Sequence, residues 1–252
     1  MERKRFWNIV ILLAVFILCV AFPISLITYD PFIIRIVRIS LLSFFILFTF
    51  VYVKLTGLAH LFQGRFNFKN ALLLSPLFLI AFCDLFYIVV FKQSMPGTLK
   101  WTSRDFIMDF VIYALQAFAE ELVFRFVIQK NLPIQKKITK ILVASAIFAV
   151  CHLITAISYW NLLDPASWNW IDLIIVIYTF FIGIVLGTIY EYTNNLILPV
   201  VFHLIFNLIN DLWLASMNLW DILYLVNCLV FAVFGIGYIC LFYFVFTKRE
   251  NR

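Results

Sequence analysis

A bilayer crossing takes about 20 mostly apolar residues, and this sequence offers eight such runs, at roughly 6–27, 33–54, 71–91, 106–128, 138–158, 171–190, 196–214 and 222–246. Inside lipid every backbone N–H and C=O must find its partner within the segment, so runs of this kind become helices. The expected fold is therefore all-α, a polytopic membrane protein with about eight transmembrane helices. No linker, repeat or low-complexity stretch divides it, and residues 1–252 read as one transmembrane domain. The composition agrees: 65% of residues are hydrophobic and 13% charged, where a soluble domain is nearer half and a quarter.

The net charge of +6 does not point to nucleic acid, because the basic residues form short clusters between apolar runs, as the positive-inside rule expects. With eight crossings both termini share a side. Arg3, Lys4, Arg5, Lys54, Arg65, Lys69, Lys130, Lys136, Lys137, Lys140, Lys248, Arg249 and Arg252 fall on that side, against Arg35, Arg38, Lys92, Lys100 and Arg104 on the other. Both termini are expected in the cytoplasm, with the protein in the cell membrane and the lipid bilayer as its first partner. The first apolar run continues to about Ile27 without a small-x-small cleavage site, so it reads as an anchor. Cys19, Cys83, Cys151, Cys228 and Cys240 are scattered in apolar segments, which indicates neither a disulfide framework nor a thiolate metal site. The tryptophan-rich stretch from Trp160 to Trp170 suits an interfacial loop. Gly183 and Gly187 form a G-x-x-x-G pair that permits close helix contact, read as packing within the protomer. The oligomeric state stays open.

One stretch breaks the apolar pattern. Glu120, Glu121 and Arg125 put three formal charges into six residues of the run 106–128, and each costs at least about 2.5–3.5 kcal/mol to insert in a membrane. On an α-helix Glu121 and Arg125 stand four apart on one face and can pair, while Glu120 is turned about 100° away. Two of the three histidines also lie inside predicted helices. His152 follows Phe148 by four residues, and His203 precedes Asn207 by four, so each pair shares a helix face. At a rise of about 1.5 Å per residue, Glu120, His152 and His203 lie roughly 10–20 Å below the cytoplasmic surface, a depth that suits one shared cavity. His60, in a loop near the surface, reads as incidental.

Glu120-Glu121-x-x-x-Arg125, Phe148-x-x-x-His152 and His203-x-x-x-Asn207, in this order on successive helices, resemble the three signature motifs of the CPBP family, also called ABI. That family contains the type II CAAX prenyl endopeptidases and bacterial proteins of bacteriocin processing or self-immunity. The resemblance covers roughly residues 106–214 and implies an intramembrane protease with that segment as its catalytic core.

Peptide hydrolysis needs an activated water, a group that stabilises the oxyanion and a proton donor for the leaving amine. Burial disfavours a charged carboxylate, which suits Glu120 to taking a proton from water. Glu120 is the expected general base, with His152 sharing the water or relaying its proton. His203 and Asn207 can donate hydrogen bonds to the oxyanion, in keeping with the family resemblance. Glu121 and Arg125 would hold the helix, and Phe148 would pack beneath His152. The same residues admit a metal mechanism, in which His152, His203 and Glu120 would hold zinc; no cofactor is favoured, and the metal-free route is preferred. Two other classes remain readable: a non-catalytic immunity or scaffold protein, and a proton-coupled carrier, against which no pair of interrupted helices occurs in corresponding halves. The substrate is expected to be a peptide or membrane protein. Short length and lean loops fit a bacterial chain, and most bacteria lack prenylated proteins.

The charge asymmetry makes a direct prediction. A cysteine introduced by Gln135→Cys stays unlabelled by an impermeant thiol reagent in intact cells and reacts after permeabilisation; labelling in intact cells inverts the topology.

Overall fold

The computed structural model of the chain describes residues 2–20, 29–56, 103–159 and 170–214, with isolated positions between 229 and 240. Among these residues all regular structure is helical: α1 (Glu2–Val20), α2 (Pro31–Leu55), α3 (Ser103–Glu121), a π-helix (Leu122–Gln129), α4 (Lys137–Tyr159), α5 (Trp170–Thr193) and α6 (Ile197–Leu214). Each begins or ends within a few residues of an apolar run. The run 71–91 lies outside the described residues, as do His60, Cys83 and the stretch 160–169; of 222–246 only isolated positions are described. Two helices, Pro31–Leu55 and Val176–Thr193, are long and apolar enough to cross a membrane, and Phe6–Val20 and Ile197–Leu208 are shorter apolar helices. With mean hydropathy of +1.05, this is a helical membrane protein.

Local chemistry sets the helix ends. The Asp30 side chain accepts from the backbone N–H of Phe32 at 2.8 Å and Ile33 at 3.4 Å, capping α2 just before Pro31, whose fixed φ suits a first turn. Between α5 and α6 the chain turns at Asn194, which holds φ of 50°, a left-handed conformation that asparagine tolerates better than most residues. Asn195 then accepts from the N–H of Ile197 at 2.8 Å and starts α6. Hydroxyls within the helices bond back to the carbonyl four residues earlier: Thr49 to Phe45, Ser145 to Ile141, Thr188 to Ile184 and Thr193 to Ile189. Each thus satisfies its donor without water.

The chain forms two compact units. One comprises Met1–Pro23, Leu122–Asn194 and Asp221–Arg252; the other comprises Ile24–Glu121 and Asn195–Trp220.

In the first unit α4 and α5 pack antiparallel, as their contacts run in opposite order. Lys137 lies over the Tyr192 ring at 5.4 Å, and Ser145 faces Gly183. The glycine pair is what lets the helices close. A Cβ at Gly183 would stand 3.0 Å from the Ser145 Cβ and 3.2 Å from its Cα, and one at Gly187 would stand 2.8 Å from Gln129 Oε1. Gln129 cannot swing away without loss, because its Nε2 donates to the Gly187 carbonyl at 2.9 Å and to Glu191 Oε2 at 3.1 Å. Edge-on rings extend the core from Phe16 of α1 to Phe124 at 5.4 Å and from Phe124 to Phe148 at 4.9 Å.

In the second unit Arg35 of α2 meets two carboxylates of α3, Asp105 at 2.8 Å and Asp109 at 2.8 Å and 3.0 Å. The two acids stand four residues apart and so share a helix face. Further along both helices Phe50 and Phe118 approach with ring centroids 6.2 Å apart. The contacts advance in the same order, so α2 and α3 are parallel, the sense in which the sequence-derived topology runs both.

These contacts predict that Gly183→Val and Gly187→Val each lose about 1–3 kcal/mol, the usual cost of forcing atoms into a filled interface. A thermal-shift measurement in detergent should give a lower midpoint for both; an unchanged midpoint would contradict close packing through these glycines.

Candidate functional site

The helix that carries the charged motif is α-helical only as far as Glu121. From Leu122 it widens into a π-helix of eight residues, all buried, Arg125 and Gln129 among them. Such geometry usually occurs as a single-turn bulge, often at functional sites. The spacing of Glu121 and Arg125 predicted an α-helical register throughout, and the wider turn alters which side chains share a face from Leu122 onward. Nothing in the sequence distinguishes this segment from an α-helix; only its concentration of charge marks the place.

The sequence-predicted residues fall into two groups, one in each unit. In the second unit, α3 presents Glu120 and Glu121, and α6 presents His203, all three buried with exposures of 2%, 0% and 5%. His203 Nδ1 lies 2.9 Å from Glu121 Oε1, and Nε2 lies 3.6 Å from Glu120 Oε2. An ionised carboxylate only accepts, so beside ionised Glu121 the Nδ1 of His203 carries the proton and donates it to that bond. Nε2 is thereby turned toward Glu120. The other oxygen of Glu120, Oε1, accepts from Gln116 Nε2 at 2.8 Å. Glu120 is thus anchored through one oxygen while the other faces the imidazole. Asn207, half-buried, stands one turn beyond His203 on the same side of α6.

In the first unit the π-helix and α4 bring together Arg125, Phe148 and His152. The fully buried Arg125 guanidinium stands 5.3 Å from the centre of the Phe148 ring, a cation–π approach that favours a desolvated charge. Phe148 packs edge-on against the His152 ring at 4.5 Å. His152 Nδ1 lies 3.0 Å from the Phe148 carbonyl, which can only accept, so the proton sits on Nδ1 and Nε2 is the acceptor of the neutral ring.

Sequence reasoning passes over two residues. Gln116 is one, although its spacing of four from Glu120 is an ordinary signal of a shared helix face. Gln129 is the other, and its partners Gly187 and Glu191 lie some sixty residues away, which no local pattern conveys.

A catalytic zinc takes three protein ligands and keeps one open position. Among the described residues no three His, Cys, Asp or Glu side chains are gathered so as to hold a metal ion. Glu121 meets Nδ1 and Glu120 faces Nε2, so Glu121 cannot join Nε2 and Glu120 around one ion; a zinc in this unit would have His203 Nε2 and Glu120 as its ligands, with Glu121 orienting the ring from Nδ1.

These observations define a helical membrane protein with an imidazole held between two buried carboxylates. Residues 102–209 match the family model described as type II CAAX prenyl endopeptidase Rce1-like. The match makes this segment similar to the CAAX protease family and spans all seven residues of the three motifs. No curated protein and no solved structure matches it.

Proposed function

We propose that the chain is an intramembrane endopeptidase that hydrolyses a peptide bond with Glu120 as general base and without a resident metal. The observation that carries this reading is the second oxygen of Glu120: Oε1 is held by Gln116, and Oε2 faces His203 Nε2 at 3.6 Å. A water at an ordinary hydrogen-bond distance of about 2.8 Å can touch both Oε2 and Nε2. Glu120 takes a proton from this water as its oxygen bonds to the scissile carbonyl carbon. The carbonyl electron pair moves onto oxygen, and His203 Nε2–H and the Asn207 amide donate to that oxyanion. With Nδ1–H already given to Glu121, Nε2 donates when the ring carries a second proton. The C–N bond then breaks, and the leaving nitrogen takes the proton from Glu120, returning the carboxylate.

His152 enters from the order of the motifs. Its Nε2 is an acceptor while Nδ1 donates to the Phe148 carbonyl, a form able to take a proton. Arg125 and Phe148 keep that ring in place. The family's description supports peptide cleavage, and in this reading the substrate is a peptide or membrane protein and the chain a cell-membrane protein of about eight helices whose termini, by the charge pattern, are cytoplasmic. Residues 1–252 form the transmembrane domain in this reading.

Glu120→Gln is the test. The amide keeps size and hydrogen bonding but cannot take a proton, so the variant should insert and fold normally and lose cleavage. Proteomics of new peptide termini in cells carrying the wild type or Glu120→Gln reads this out. Termini present only with the wild type support the reading. The same termini in both would remove the general base and favour a non-catalytic immunity or scaffold role.

A further inference from the structure

The motif's second carboxylate reaches from α3 to a histidine of α6. Glu121 is fully buried, and its Oε1 lies 2.9 Å from His203 Nδ1, on the edge of the ring opposite Glu120. An imidazole on a single Cβ can rotate about two torsions, and exchanging its edges would carry Nε2 away from Glu120. The bond to Glu121 prevents that exchange. It also assigns the proton to Nδ1, because a carboxylate has none to give. We propose that Glu121 is a positioning residue for the hydrolysis: it holds Nδ1–H and so the orientation of the His203 ring, in which Nε2 faces Glu120 and the reacting carbonyl. This rests on the function proposed above and goes beyond it, since Glu121 touches neither the water nor the substrate. Its neighbour Glu120 does the proton transfer. Two adjacent glutamates on one helix thus serve one histidine from its two sides, the first as base and the second as anchor.

The experiment uses the purified full-length chain with nitrogen-15 histidine and has two readouts. The first is the Nδ1 signal of His203, assigned by its loss in His203→Asn. In the wild type it should report a protonated, strongly hydrogen-bonded Nδ1, and in Glu121→Met that signature should disappear while the helical circular dichroism stays unchanged. The second is turnover of a farnesylated CAAX peptide with a fluorescent reporter. Removing the group that orients a catalytic histidine costs up to about 10⁴ in the serine-protease triad; for Glu121→Met, where the bond to one side only is lost, kcat should fall roughly 10²-fold with KM within about threefold. Glu121→Gln, whose amide oxygen can still accept from Nδ1–H, should recover at least about tenfold of that loss. An unprotonated Nδ1 in the wild type, or an unchanged signal in Glu121→Met, overturns the proposal. So does a Met variant that turns over as fast as the wild type, or one whose only defect is a lower yield of folded protein. A wild type inactive on the peptide would count against the proposed chemistry, while the nitrogen signal would still decide whether Glu121 holds the ring.

Discussion

A charge inside a membrane protein needs a partner at close range, and this constraint orders the polar core of the chain. Taking a carboxylate out of water costs several kcal/mol per ion even after relaxation, and in hydrocarbon there is no solvent to relieve it. The second unit meets the cost by setting one imidazole between two glutamates, at 2.9 Å and 3.6 Å, with Gln116 satisfying the remaining face of Glu120. The first unit buries Arg125 completely and stacks it on Phe148. Buried ion pairs of this kind often contribute little net stability, whereas removing one member is strongly destabilising. In the proposed function these groups serve as general base, proton carrier and anchor, roles that call for a place where water is scarce and electrostatics strong.

The scaffold is built to hold such groups still. Parallel α2 and α3 are clamped at one end by Arg35 on two aspartates and further along by Phe50 on Phe118. Antiparallel α4 and α5 close through glycine, where there is no side chain to keep the backbones apart. Gly187 leaves room for the Arg125 guanidinium and the Gln129 amide, so the same residue that permits helix contact also accommodates the polar end of the π-helix. Small residues at such contacts are the usual device of membrane helices, which gain nothing from hydrophobic burial against one another.

The helices among the described residues were legible because a stretch of twenty apolar residues has few alternatives in lipid. It conveyed the positions of Glu120, His203 and Arg125 for the converse reason, as a titratable group in such a stretch stands out against its surroundings. Partners were less legible. Periodicity reports only neighbours on one helix, so Glu121 was matched with Arg125, while its contact with His203 spans 82 positions and depends on how α3 and α6 are rotated. The π-helix was not legible at all, since its residues carry ordinary helical composition. Gln116 was passed over although its spacing of four from Glu120 signals a shared face, and Asn194 and Asn195 form a turn that suits asparagine chemistry.

The central claim is that a carboxylate, with no resident metal, activates the water. Elemental analysis of the purified, proteolytically active chain tests it most directly. The account predicts zinc well below one per chain and activity that survives a strong chelator. One zinc per chain, lost in His203→Ala, with activity abolished by chelation and restored by added zinc, would contradict it.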